Sequence, residues 1–476
     1  MSKLTVARIL SLKVTAEVRK RSAYAQNLID SDINSSDMSA EDKAFATRLV
    51  YGVVGNISTL DAVINRNLNL PDDIDATVRD ALRLSTYELL FLEKDSYAAV
   101  DQGVELVRYC APRAAGLANA VLRKIVEDIK KFPYGNVEED MQAFALQHGY
   151  PYWLAEELIS DLGEKDARTL MQATDASAPL YMARNPFKAS EEEFLLAFEN
   201  AGAQPSNGPV PNCYCMGNPL AAINCQAFAD GWGVVADASA QLAAYFVNPV
   251  PGTPVLEIGA GRGTKTFLLQ ANAKLRGGNL QIFANDYYDF KNRVASSRLS
   301  ELGIKGVQHF CGDATKDQTF KQQGMPKRFP FAFIDAPCSN IGTLRRHPEQ
   351  RNRLTKPELE SVSKLQLAML CAVSKKIAVG GSLVYSTCSP LHKEDNMVIN
   401  EFLNSPEGIG FEVEHFVTQA QLDEIDERDV TARRALQPLV VPPAFERFIC
   451  DEGFIRIIPE INGPDGHFIA RLIRIS

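Results

Sequence analysis

The chain has 476 residues, 46% hydrophobic and 23% charged, a balance that suits a globular protein of two or three domains. A net charge of −9 excludes a general basic coat for nucleic acid, so RNA or DNA would have to be met by a local basic groove. The nine cysteines are odd in number and scattered, which excludes a disulfide framework; with no secretory pattern at Met1–Arg8 and no apolar run long enough for a bilayer, a cytoplasmic location without a membrane partner is expected.

The first 131 residues read as helical. Leu10, Leu12, Val14 and Val18, then Leu49, Val50 and Val53, then Val78, Leu82, Leu84, Leu89 and Leu90, fall at helix-compatible spacings. Breakers separate them at Asp30–Ser36, Leu70-Pro71-Asp72-Asp73 and Ala111-Pro112-Arg113, and Ser39-Ala40-Glu41-Asp42 has the form of a capping box. The pattern predicts a bundle of roughly five to seven helices. It stops at Lys130-Lys131-Phe132-Pro133-Tyr134-Gly135-Asn136, which closes a first domain at 1–135.

A mixed segment, 145–230, follows as a small α+β adapter, with helical stretches at Trp153–Leu162 and Asp166–Ala173 and a strand at Leu180–Arg184. Cys213-Tyr214-Cys215 is spaced too closely for a zinc half-site and no second pair with histidines follows, so no metal is expected. From 231 to 476, strands alternate with helices. Val255–Ile258, Leu280–Asn285, Val307–Cys311, Phe331–Ile334 and Ser382–Tyr385 predict a doubly wound parallel sheet. Phe454–Ile458 and Phe468–Ile475 flank Asn462-Gly463-Pro464-Asp465-Gly466 as a terminal antiparallel hairpin.

Chemistry concentrates at the predicted strand ends, where open α/β sheets bind ligands. Glu257-Ile258-Gly259-Ala260-Gly261-Arg262-Gly263 leaves the first strand and opens a helix at Thr264; its glycines permit a tight turn and close approach of a ligand. Asp286 ends the second strand about 20 residues on, where an acid can hold ribose hydroxyls. The spacing fits NAD or S-adenosylmethionine. Asp313, past the third strand, could receive an adenine amino group or simply cap a turn. Asp335-Ala336-Pro337-Cys338 and Ser386-Thr387-Cys388-Ser389 bring a carboxylate and two thiols to the mouths of adjacent strands. One thiol can attack while the other assists release, and Asp335 can serve a heteroaromatic ring nitrogen.

These motifs resemble those of RNA 5-methylcytosine methyltransferases, closely the bacterial small-subunit ribosomal RNA methyltransferase B family. The carrying residues are Asp335-Ala336-Pro337-Cys338-Ser339 with Arg345-Arg346-His347-Pro348-Glu349, Thr387-Cys388-Ser389 with Glu394-Asp395-Asn396, Asp237-Ala238-Ser239-Ala240-Gln241, and Asp465-Gly466-His467-Phe468-Ile469-Ala470. Asp42-Lys43-Ala44-Phe45-Ala46, Tyr51-Gly52-Val53 and Asn119-Ala120-Val121-Leu122-Arg123 resemble a NusB-like RNA-binding domain. The resemblance implies a multidomain architecture: an all-α NusB-like bundle, the α+β adapter and an α/β Rossmann-like class I methyltransferase.

It also implies roles. Cys388 attacks C6 of a cytosine, Asp335 serves N3, C5 takes the methyl of S-adenosylmethionine, and Cys338 aids release of Cys388. Gly259, Ala260, Gly261, Arg262, Gly263, Thr264, Lys265, Asp286, Asp313 and Asp335 would hold the cofactor. By their own clustering after the Pro-Cys motif, Arg345, Arg346, Arg351 and Arg353, with Lys356, could line an RNA phosphate path or form a solvated charged face, and Arg8, Lys13, Arg19, Lys20 and Arg21 are candidates for an RNA-facing stripe on the bundle. The chain departs from the family at Arg262, where proline is usual, and at Ala236, where glutamine is common. The expected partner is small-subunit ribosomal RNA, met by a monomer. The rivals are methylation of another RNA such as transfer RNA, or a non-catalytic RNA-binding assembly or antitermination factor.

Overall fold

The computed structural model describes residues 4–426 and 429–476; Met1-Ser2-Lys3, which open the chain, lie outside the described residues. It divides into two compact units: Met1–Asp175 with Leu344–Leu354, and Ala176–Thr343 with Thr355–Ser476. Among the described residues no helix is long and apolar enough to cross a membrane.

The first unit is helical. Its main helices are Val6–Arg21, Ala40–Gly55, Ile57–Arg66, Ala76–Leu90, Ser96–Cys110 and Ala115–Asp128. Short polar side chains start several of them: Ser39 accepts from the Asp42 amide at 3.1 Å, Asp75 from Thr77 at 2.8 Å and Asp95 from Ala98 at 2.9 Å. Ala76–Leu90 is the central helix. It buries Val78, Ala81, Leu82, Leu84 and Leu89 and also Asp80, Arg83 and Glu88, whose charges are paired. Of the expected basic stripe, Arg8 and Arg19 pair with the buried Glu88 and Asp80, while Lys13, Lys20 and Arg21 stay largely exposed beside Asp32 and Glu17.

Two differences from the expected boundaries follow from packing. The helices Met141–Gln147, Tyr152–Leu162 and Glu164–Ala173 join the helical unit and not the adapter. Phe144 is buried, Arg168 stacks on its ring at 4.3 Å, and the Thr59 hydroxyl donates to the Leu146 carbonyl at 2.7 Å. The second difference is Leu344–Leu354, which belongs to the helical unit although it follows the Pro-Cys motif in sequence.

The second unit contains two sheets. In the smaller, β1 (Leu180–Arg184), β2 (Pro205–Asn207), β3 (Cys213–Met216) and β4 (Gly233–Val235) are ordered β2-β3-β1-β4 and are antiparallel. The larger contains β5 (Pro254–Ile258), β6 (Gln281–Asp286), β7 (Val307–Cys311), β8 (Phe329–Asp335), β9 (Ile377–Thr387), β10 (Phe411–Val413), β11 (Ile455–Ile457) and β12 (His467–Arg474). Its order is β10-β12-β9-β8-β5-β6-β7, with β11 pairing β12. The five strands β5 to β9 are parallel, and β12 runs antiparallel to β9. Successive residues face opposite sides, so Leu256 and Ile258 enter one apolar core while Val255 enters the other, on the side that Glu257 also faces. The order in which successive strands join the sheet reverses between the parallel strands β5 and β8, so their carboxyl ends form the crevice expected for a ligand.

Candidate active site

The exit of β5 turns through Gly259, Gly261 and Gly263, all at positive φ (80°, 57° and 81°). At Gly259 a Cβ would overlap the Asp335 carbonyl oxygen, so the two strand ends approach closely only because this residue is glycine. Gly261 is the opposite case: a Cβ there would meet open space, its nearest neighbour the Gly259 oxygen at 3.9 Å. A ligand can therefore lie against this backbone. Gly263 starts the helix Thr264–Leu275. Asp286, at the end of β6, accepts from the Gly261 amide at 3.0 Å and the Tyr288 amide at 2.9 Å, which fixes its carboxylate beside the turn. Asp313 accepts from the Thr315 amide (2.9 Å) and hydroxyl (2.7 Å), and these bonds hold its pKa below the ordinary value. Arg262 is exposed, so the residue that departs from the family points its charge outward. An amide-rich turn flanked by acids at successive strand ends suits the amino acid, ribose and base of a nucleoside cofactor.

Polar groups gather beneath the turn. Lys265 forms an ion pair with Asp335. Glu257 is fully buried, and burial pushes its carboxyl up to about 8, with Asp335 adding to the rise and the Thr266 hydroxyl and Lys265 opposing it. The buried His467 imidazole is driven well below its ordinary pKa by burial, with the Lys265 charge adding.

The two cysteines meet. Asp335 pairs with Ser386 in the β8–β9 register, and three residues past Asp335 and two past Ser386 the sulfurs of Cys338 and Cys388 stand 2.7 Å apart. A covalent S–S bond is about 2.05 Å, and both cysteines are free. Both are only partly buried. The Cys388 amide also donates to Cys338 Sγ at 3.3 Å. The Cys338 thiol is raised well above its ordinary pKa, first by its hydrogen bond with Cys388, then by burial, then by the charges of Cys388 and Glu394.

Sequence reasoning assigned no part to Asn340. Its side-chain oxygen lies 2.9 Å from Cys388 Sγ and 3.9 Å from Cys338 Sγ, while its amide donates to the Cys338 carbonyl at 3.1 Å. The signal was its residue type two positions past Pro-Cys: asparagine tolerates the left-handed turn it occupies, at φ 61°. Asp237 caps the helix Ala238–Val247 and accepts from the Asp465 amide at 3.0 Å, which ties two of the family-like motifs together.

The arginines expected to meet RNA divide into two pairs. Arg351 is 3% exposed, donates to the carbonyls of His148 (2.9 Å), Gly55 (3.3 Å) and Thr174 (3.4 Å), and stacks on Tyr150 at 4.6 Å. Arg353 donates to the carbonyls of Ala23 and Val18. Both guanidinium groups are engaged by carbonyls of the helical unit, Arg351 as a buried residue and Arg353 as a half-buried one. Arg345 and Arg346 are half-buried.

The 16S rRNA methyltransferase RsmB/F family matches residues 244–473, and the NusB family matches residues 5–127. A probable ribosomal RNA small subunit methyltransferase B of Synechocystis is 31% identical over 414 residues, covering 84% of this chain and 90% of its own. Its counterpart in Bacillus subtilis is 25% identical over 474 residues, covering 99% of both chains. The crystal structure of PH0851 superposes with a TM-score of 0.76 at 22% identity, over 99% of this chain and 100% of that one. That of NSun6 from Pyrococcus horikoshii with SFG gives 0.54 at 16% identity, over 68% of this chain and 98% of the other.

Proposed function

The chain belongs to the ribosomal RNA small-subunit methyltransferase B family and is an S-adenosylmethionine-dependent methyltransferase, and from that premise we propose that it methylates C5 of a cytosine in small-subunit ribosomal RNA through a covalent adduct with Cys388. The observation that carries this reading is the meeting of two partly exposed sulfurs at 2.7 Å, beside Asp335 and the glycine turn.

When bound, S-adenosylmethionine supplies an electrophilic methyl group. The backbone of Gly259–Gly263, with Asp286 and Asp313, would hold it, and Lys265 would act through Asp335. C5 of cytosine is a poor nucleophile until a group adds at C6. The Cys388 sulfur adds there and pushes electron density onto C5 and N3. Asp335, ion-paired with Lys265, would hydrogen-bond to or protonate N3, so that the charge developing along that edge is met by a proton. After methylation the C5 proton leaves to solvent, C5=C6 reforms, and Cys388 departs with the bonding pair. Cys338, held protonated, offers its thiol hydrogen to the departing sulfur. The base must present its edge and face, so the target is unpaired or flipped out of its stack. The enzyme works as a monomer in the cytoplasm.

The test is transfer from methyl-labelled S-adenosylmethionine to bulk RNA. Label in small-subunit RNA that maps to 5-methylcytosine is the expected result. Label in transfer RNA alone would replace the substrate, and RNA binding without transfer would replace the enzyme with a scaffold.

A further inference from the structure

Glu394 lies six residues beyond Cys388, in the turn before the helix Asn396–Leu403, and is fully buried. A buried carboxylate is costly unless each oxygen is satisfied. Here both are, and the donors come from the two cysteine loops. Oε2 accepts from the Ser339 amide at 2.8 Å and from Gln366 at 3.1 Å. Oε1 accepts from the Ser339 hydroxyl at 2.5 Å and the Ser389 hydroxyl at 2.8 Å. Ser339 follows Cys338, and Ser389 follows Cys388. Gln366 also donates to the Pro337 carbonyl at 2.8 Å, and the Tyr385 hydroxyl donates to the Glu394 carbonyl at 2.7 Å. One carboxylate thus bridges the residues next to each sulfur.

We infer that Glu394 is a positioning residue: it clamps the Pro-Cys and Thr-Cys loops together and so sets the separation of Cys338 from Cys388 on which release of the covalent intermediate depends. The inference rests on the covalent reading above. Burial pushes the Glu394 carboxyl upward, and its hydrogen bonds oppose that rise. Its negative charge also helps to keep the Cys338 thiol protonated. Attack needs only Cys388. Release breaks the Cys388 Sγ–C6 bond while C5 loses its proton to solvent, the C–H pair becomes C5=C6, and the sulfur leaves with its pair beside the Cys338 thiol. Only this second step needs both sulfurs in register, so loosening the clamp should impair release more than attack.

The experiment uses the full chain with small-subunit RNA and S-adenosylmethionine. It follows turnover and the denaturation-resistant protein–RNA adduct for Glu394→Ala, Glu394→Gln and, as a reference, Cys338→Ala. Glutamine can keep the bridge, because its carbonyl replaces Oε2 and its amide faces two hydroxyls able to accept. Glu394→Ala should lower kcat by about a hundredfold, leave both KM values within about twofold and accumulate adduct although Cys338 is intact. Glu394→Gln should recover most of the lost turnover. If Glu394→Ala does not fold, the Ser339→Ala/Ser389→Ala double variant decides, since it removes two of the four donors and leaves the carboxylate. Wild-type turnover, or slow turnover without adduct while Cys338→Ala accumulates it, overturns the inference. Absence of adduct in Cys338→Ala itself overturns the covalent reading and the inference with it.

Discussion

At Gly259 one hydrogen atom decides whether the strand ends can meet. With φ at 80° and the Asp335 carbonyl filling the space of a Cβ, Gly259→Ala must push β5 and β8 apart where the cofactor turn begins. Calorimetric titration should find S-adenosylmethionine affinity reduced at least about tenfold, a loss of about 1.4 kcal/mol; unchanged affinity would show that the turn does not hold the ligand. Glu257 supports a second experiment. Its carboxyl titrates near 4.5 when free and near 8 in the fold. Between these values the native state binds more protons than the unfolded one, so this group lowers stability as pH rises through the window, by about 1.4 kcal/mol per unit, and the full penalty is present above it. Glu257→Gln should therefore unfold at higher temperature than the parent at about pH 9, with the gain vanishing towards about pH 4; a pH-independent difference would exclude this titration as the cause. The two thiols are separated by a third: Cys338→Ala should accumulate a denaturation-resistant RNA adduct and Cys388→Ala none, and the reverse pattern would exchange their roles.

The strands nearest the chemistry were legible as sequence because they are buried on both faces and read as short apolar runs. β5 to β8 lie within a few residues of their expected positions, and the hairpin of β11 and β12 was marked by its turn residues. β9 begins at Ile377, earlier than expected, because Gly380 and Gly381 interrupt the apolar pattern that defines it. β2, β4 and β10 have three residues each, too few for alternation to register. The Pro-Cys and Thr-Cys loops were visible because a thiol past a strand is chemically conspicuous. Glu394 was visible only as part of a family-like motif, and neither its bridging role nor that of Asn340 could be read, since both arise from loops that meet only in the fold. Leu344–Leu354 was the hardest segment to read: Arg345, Arg346, Arg351 and Arg353 look like a solvated basic run, yet Arg351 is buried against three carbonyls and Tyr150. Removing that guanidinium leaves those carbonyls without their donor. Arg351→Ala should cost about 3 kcal/mol of stability, measured by denaturant unfolding of the full chain. A phosphate-binding arginine would instead leave the unfolding midpoint unchanged.

Across the whole molecule the net charge of −9 opposes RNA at long range, so affinity must come from a few local contacts and from the base in the site. The helical unit does not offer Arg8 and Arg19 as free cations, since each faces a buried acid of its own unit. This gives the chain a salt response unlike that of a basic RNA-coating protein. Each phosphate contact releases counterions, so the slope of log affinity against log salt counts the contacts, at about 0.7 to 1 per contact. If Arg345 and Arg346, which follow the Pro-Cys motif in sequence, meet phosphates, Arg345→Ala and Arg346→Ala should each flatten that slope by about one contact and weaken cognate and unrelated RNA alike. Arg353→Ala should leave the slope unchanged, because its guanidinium is held by the Ala23 and Val18 carbonyls. Filter binding of the full chain over a salt series measures all three. Equal slopes for the parent, Arg345→Ala and Arg346→Ala would move the phosphate path elsewhere on the molecule, and a flatter slope for Arg353→Ala would return that residue to it.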